Sequence, residues 1–144
     1  MKRRDFITAL AGATSWISAG RAQEPRRVIG LLSSITFDSY PGAEAAIARG
    51  LENTGFVEDK NISIIRRSAD GQYNRLPSLA SELVRRGVAV IVSGDAPSAF
   101  AAKAATSNTP IVFAIGTDPV KVGLVDRYNR PGGNITGVYN YLLV

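Results

Sequence analysis

Four short runs of apolar, mostly branched residues recur along the chain, at Val28–Ser34, Ile62–Arg67, Val88–Ser93 and Pro110–Ile115, and segments with helical spacing separate them. No other feature narrows the possible folds so far. Apolar runs of this length bounded by turn-forming residues read as strands buried on both faces. Strands alternating with helices read as parallel strands joined by crossover helices. The expectation is an α/β protein built on a doubly wound, mostly parallel sheet of four to five strands, with Val28–Ser34 at its centre. Ile135–Val138 is the candidate fifth strand. Sheets of this kind bind small molecules beyond the carboxyl ends of their strands, where neighbouring connections leave to opposite faces. Those ends are Ser33-Ser34, Ser93-Gly94-Asp95 and Gly116-Thr117-Asp118.

The connecting segments carry their own punctuation. Pro41 suits a first helical turn and Gly55 a stop, and Ala43, Ile47 and Leu51, spaced by four, share a face that should pack on the sheet. Arg66 and Arg67 give the second strand charge, which suits an edge position. Asn74 is the expected cap of a helix reaching Arg86, with Leu76, Leu79, Ala80, Leu83 and Val84 as its apolar stripe and Gly87 as its end. Arg85 and Arg86 lie where cations complement the negative end of that helix. The continuous run Val88–Ser93 reads as a central strand, and Asp95-Ala-Pro-Ser98 opens an alanine-rich helix over Ser98–Ala105. The first free amides of that helix should face the strand-end cleft, where an anionic group is well received. The short segment Lys121–Val125 and the dense turn Arg130-Pro-Gly-Gly-Asn134 follow the fourth strand.

At 144 residues the chain is long enough for one domain with a real core. Its formal charge of +5 is concentrated at the amino terminus, since Lys2, Arg3, Arg4 and Arg21 against Asp5 leave 13 basic and 11 acidic residues in the remainder. That remainder is nearly neutral and gives nucleic-acid binding no electrostatic support. There is neither cysteine nor histidine. Disulfides, thiolate chemistry, a lipid-anchored amino terminus, the usual zinc or iron ligand sets, and Ser–His or Cys–His catalysis are all excluded, and no metal or cofactor is expected.

Residues 1–22 have the layout of an export signal: a basic cluster, a weakly apolar segment from Ile7 to Ala19, and small residues up to Ala22. The adjacent Arg3 and Arg4 followed by Asp5-Phe6 resemble a twin-arginine signal, although Lys2 and Thr8 depart from that pattern; the general secretory route is the alternative. The apolar segment falls short of the roughly 20 residues that span a bilayer. At the other end, Tyr139-Asn-Tyr-Leu-Leu-Val144 is apolar, uncharged and without a stop signal. The expected organisation is a signal at 1–22, an α/β lobe at 23–138, and at 139–144 the start of a truncated crossover.

Four stretches together carry a family resemblance: Arg27-Val-Ile-Gly-Leu-Leu-Ser-Ser34; Gly71-Gln-Tyr-Asn-Arg-Leu-Pro77; Pro110-Ile-Val-Phe-Ala114 with Thr117-Asp-Pro-Val120; and Asn129-Arg-Pro-Gly-Gly-Asn-Ile-Thr-Gly-Val138. In this order and spacing they resemble the amino-terminal lobe of bacterial ABC-transporter substrate-binding proteins, in the subfamily whose characterised members bind tryptophan and other aromatic amino acids. The Arg-Pro-Gly-Gly-Asn segment is the most discriminating. The resemblance implies a two-lobed periplasmic binding fold that clamps its ligand between lobes, and delivery of the solute to a membrane permease driven by an ATPase. It implies a periplasmic location, and family members are about twice this length, so the second lobe is absent here.

Carried over position by position, the resemblance puts Ser33 and Ser34, Asp95 and Ala96, and Thr117, Asp118 and Pro119 on the ligand cleft. Hydroxyls and helix-end amides suit a carboxylate and an acidic side chain suits an ammonium, so an amino acid is the expected solute. Tyr40 and Tyr73 are candidates for stacking, with surface packing as the plainer account of each. Helix capping accounts equally for Asp95, turn chemistry for Asp118, and a strand-to-loop transition for the serines. Two other functions share the fold. A phospho-switch or nucleotide enzyme wants an acidic pair or a glycine-rich loop after the first strand, and neither is present. The effector lobe of a sugar-type repressor follows a DNA-binding unit, where this chain has an export-like leader.

Overall fold

The computed structural model describes residues 25–140, and the expected signal at 1–22 and residues 141–144 lie outside them. Five strands, β1 (Arg27–Ser33), β2 (Ile62–Ser68), β3 (Val90–Ser93), β4 (Ile111–Ile115) and β5 (Ile135–Tyr139), alternate with α1 (Pro41–Asn53), α2 (Leu76–Arg85) and α3 (Ala96–Ala105), except between β4 and β5, which a turn-rich segment joins. All neighbours pair in parallel. The order is β2-β1-β3-β4-β5. The central strand is therefore β3, and β1, expected at the centre, lies beside it. Both runs are apolar and branched, and local composition does not say which buried strand has how many neighbours.

The two faces are covered by different helices. On one, Ile47 and Leu51 of α1 pack with Phe37 and Phe56 over Ile29, Leu31 and Ile62. On the other, Leu76, Ala80 and Leu83 of α2 and Ala99 and Ala102 of α3 cover Leu32, Ile91, Ile111 and Phe113. Strands β1, β2 and β3 contribute alternate residues to the two cores, so β1 supplies Ile29 and Leu31 to one and Leu32 to the other, whereas β4 and β5 contribute only to the core under α2 and α3. On the α1 side the flank formed by β4 and β5 has no helix over it among the described residues, and Val112 (39%) and Val138 (63%) stand exposed there beside Ala114.

Period two explains the paired arginines of edge strand β2. Arg66 points to the α1 face, where Nη1 and Nη2 donate to Glu58 at 2.9 and 3.0 Å and Nε to Glu44 at 3.2 Å. Arg67 points the other way, donating to Glu82 of α2 at 2.7 and 3.0 Å. The Arg67 guanidinium pulls the Glu82 carboxyl down to about 2. Charge on this strand blunts the edge, as expected, and also ties one helix to each face.

Three local expectations are corrected. Asn74 caps nothing: it sits inside a 3₁₀ turn, Tyr73–Arg75, and α2 starts at Leu76 with no side-chain cap. The Tyr73 carbonyl of that turn accepts the Leu76 N–H, and Pro77 has no N–H to satisfy. Helix α3 begins at Ala96, two residues before the expected Ser98. Strand β3 is shorter than its apolar run, with Val88 buried ahead of it. The stop at Gly87 stands: its φ of 67° is left-handed, and its N–H closes the helix on the Val84 carbonyl at 3.0 Å.

Gly137 in β5 is required by close approach. A Cβ built there would overlap the Phe113 carbonyl oxygen and come within 2.6 Å of the Phe113 ring on the neighbouring strand. Gly137→Ala is expected to destabilise by about 2–3 kcal/mol, the usual cost of overpacking. Urea denaturation followed by circular dichroism checks this, and a loss below 0.5 kcal/mol would show that β5 adjusts freely.

Candidate functional site

In a sheet of order β2-β1-β3-β4-β5, the crossovers leave in opposite directions at the seam between β1 and β3, and their carboxyl ends part to leave a crevice. Asp95 stands at that seam. It follows β3 and caps α3, with Oδ1 accepting the Ser98 N–H at 2.8 Å. Its other oxygen, Oδ2, accepts the Ser34 N–H at 2.8 Å and lies 3.3 Å from the Ser33 hydroxyl. One carboxylate thus joins the end of β1, the end of β3 and the start of α3. The capping account of Asp95 is the observed one, and both of its oxygens are engaged within the protein.

Ser33 and Ser34 are buried, and the Ser33 hydroxyl donates to the Ile35 carbonyl at 2.7 Å. The Ser33 and Ser34 carbonyls accept from Ala69 and Gly71, so the β2–α2 loop is laced to the same rim. Asp70 in that loop holds a left-handed φ of 51° and accepts from the Ser68 hydroxyl at 2.6 Å. Tyr73 follows and is exposed.

Against this seam, on the α1 side, lies a pocket of about 230 Å³. Its floor is Leu31 and Val92 of the sheet, its wall is Ala43, Glu44 and Ile47 of α1, and its roof is Ile35, Thr36, Phe37 and Tyr40. Ser33, Gly94 and Asp95 close the rim end. The structure therefore brings three of the sequence candidates, Ser33, Asp95 and Tyr40, to one cavity. Ser34, Ala96 and Tyr73 lie nearby on the rim without lining it.

The remaining candidates form a separate cluster after β4. Asp118 is buried (7% exposed), and its Oδ1 accepts from the N–H groups of Val120 and Lys121 at 3.0 and 3.2 Å. Its Oδ2 takes the Tyr128 hydroxyl at 2.6 Å. Turn chemistry is thus the observed role of this aspartate, with Pro119 buried in the turn and Thr117 exposed beside it. The Tyr128 hydroxyl, with those amides and Lys121, holds the Asp118 carboxyl below the usual carboxylate range, and Asp118 in return pushes the Tyr128 phenol up to about 12. The Tyr128 ring stacks on Tyr139 at the end of β5, with centroids 5.7 Å apart. Sequence reasoning missed Tyr128, because only the loop between β4 and β5 brings it back across ten residues. It also missed the pocket-lining role of Ile47 and Val92, which carry nothing to distinguish them from core residues. Among the described residues no group of acidic side chains is placed to hold a metal ion.

Comparison with known proteins places this geometry. The family model described as ABC transporter substrate binding protein matches residues 28–144. The chain belongs to this family. A tyrosine-binding protein of Clostridioides difficile is 34% identical over 116 residues, which is 81% of this chain and 34% of that protein. Among solved structures, the ligand-free, open form of a substrate-binding protein with adhesive properties from Clostridium difficile superposes with a TM-score of 0.74 at 28% identity, over 81% of this chain and 39% of that one. A domain from Streptococcus pneumonia in complex with L-Trp gives 0.73 at 28% identity, over 80% and 39%. The chain thus spans about a third of the length of the curated relative it matches. Its five-stranded parallel sheet is the α/β lobe of a periplasmic binding protein, as the resemblance implied.

Two substitutions test the rim. Asp95→Ala removes a cap and the bond to the end of β1, and is expected to cost about 2–3 kcal/mol in urea denaturation. A loss under 0.5 kcal/mol would mean that the carboxylate is free for other partners. Tyr128→Phe takes away the largest cause of the depressed Asp118 pKa. The Asp118 titration, followed by carboxyl ¹³C NMR, is expected to move to higher pH, and an unmoved midpoint would assign the depression to the turn amides and Lys121.

Proposed function

We propose that the chain is the amino-terminal, ligand-binding lobe of an exported solute-binding protein that captures an amino acid for an ABC importer. The carrying observation is the pocket at the β1–β3 seam, the position where an open parallel sheet receives small molecules. The names of the relatives support that solute class, since one is a tyrosine-binding protein and another was solved with L-Trp. In this reading residues 1–22 direct export by the twin-arginine or general secretory route, 23–138 form the lobe, and 139–144 begin the crossing toward a second lobe. The protein then works outside the cytoplasmic membrane, binds without catalysis and hands its solute to a permease and its ATPase. Clamping by hinge closure requires two bodies, so this lobe alone should hold its solute weakly.

Ser33, Ser34, Asp95, Ala96, Thr117, Asp118 and Pro119 remain the proposed rim of the cleft, with Tyr40 as the stacking candidate nearest the pocket. Within that rim Asp95 and Asp118 act by fixing loops, because their oxygens already accept internal donors.

Ligand-detected NMR of the 144-residue chain against the common amino acids tests the reading. Tryptophan, tyrosine and phenylalanine are expected to give saturable millimolar responses, with the small and charged amino acids silent. A flat response across the whole panel would overturn it.

A further inference from the structure

The pocket at the β1–β3 seam has a one-sided chemistry. Each charged side chain that lines it is already engaged. Asp95 accepts from Ser34 and Ser98, and both oxygens of Glu44 lie 3.2–3.3 Å from Arg66 Nε. The Thr36 and Ser33 hydroxyls are engaged as well: Thr36 Oγ1 meets Ser39 Oγ at 2.9 Å, and Ser33 Oγ bonds both the carbonyl and the N–H of Ile35. What remains for a ligand is hydrocarbon and ring, namely Leu31, Ile35, Phe37, Ile47 and Val92, with the ring and phenol hydroxyl of the exposed Tyr40 at the mouth.

A ligand carboxylate entering here would lose water and meet two carboxylates of its own sign. A ligand ammonium would compete with Arg66 and the backbone amides for acceptors already in use. A neutral ring or branched alkyl group loses nothing by entry and gains the usual benefit of leaving water. At about 230 Å³ the cavity is also smaller than the roughly 300 Å³ at which pockets begin to enclose a whole ligand. It has room for one part of a solute.

We infer that this lobe recognises the neutral, aromatic or large apolar side chain of its solute, and that the charged α-amino-acid end lies outside this pocket. The inference rests on the solute-binding reading above and assigns it a division of labour: Leu31, Ala43, Ile47 and Val92 select the side chain. The acid-tipped strand ends, first read as the ammonium site, serve instead to hold the pocket open.

The test uses the isotope-labelled 144-residue chain titrated with indole and p-cresol, which are side chains without an amino-acid end, and with glycine, which is the end without a side chain. Indole and p-cresol are expected to shift the resonances of Ala43, Ile47 and Val92 saturably, with dissociation constants on the order of 1 mM, as befits fragments of this size. Glycine is expected to leave them unmoved. Ala43→Leu, which extends a side chain from an exposed helix position into the cavity, should weaken indole at least tenfold while the far-ultraviolet spectrum stays that of the parent. Indole and p-cresol inert at 10 mM, indole shifts confined to other parts of the surface, or indole binding unchanged by Ala43→Leu in a folded variant would each overturn the inference. So would glycine shifting the rim at Ser34 and Asp95. Tryptophan binding with indole inert would overturn this inference and leave the amino-acid reading standing. Indole seated in the pocket with every amino acid silent would support it and sink that reading.

Discussion

A single carboxylate holds the top of this sheet together. Parallel strands β1 and β3 pair along their length, but their connections leave to opposite faces, so nothing in the ladder itself fixes where their ends go. Asp95 supplies that constraint by accepting from Ser34 on one side and from the first turn of α3 on the other. Both acceptors are charge-assisted, and the bonds are short enough to be strong. The pocket exists because this bridge sets the gap between the β1–α1 loop and the start of α3.

The same economy appears at the edge and at the far end of the rim. Arg66 and Arg67, adjacent in sequence, point to opposite faces and tie α1 and α2 to the sheet. Asp118 organises the turn after β4 and orients Tyr128, which stacks on the last residue of β5. Asp95, Asp118, Arg66 and Arg67 thus all bond within the lobe, and the lining of the seam pocket is mainly apolar.

The strands were legible in the sequence because a buried parallel strand announces itself by a branched apolar run, and the helix ends because glycine at Gly87 and aspartate at Asp95 have local geometric reasons. The order of strands was legible only in part: charge marks β2 as an edge and Val88–Ser93 reads as central, but Val28–Ser34 is expected at the centre too. β1 and β3 look alike residue by residue, and which has two buried neighbours deeper in the sheet depends on pairing across 60 residues. The cap expected at Asn74 failed because the Tyr73 carbonyl of the preceding 3₁₀ turn takes the Leu76 N–H and Pro77 has none. Of the candidate site, the polar strand-end positions were legible and the cavity was not. Asp95, Ser33 and Asp118 are polar residues at predictable strand ends, whereas Ile47 and Val92 become pocket walls only once α1 settles over the seam. Tyr128 depended on a loop that folds back on itself, which no periodicity reports.

The flank of β4 and β5 beside α1 has a practical consequence. Its valines lie on a flat, hydrocarbon-rich strip next to an open strand edge, the arrangement by which proteins stick to one another. Among the described residues this strip presents hydrocarbon to water, so salts that favour burial of hydrocarbon act on it as well as on the interior.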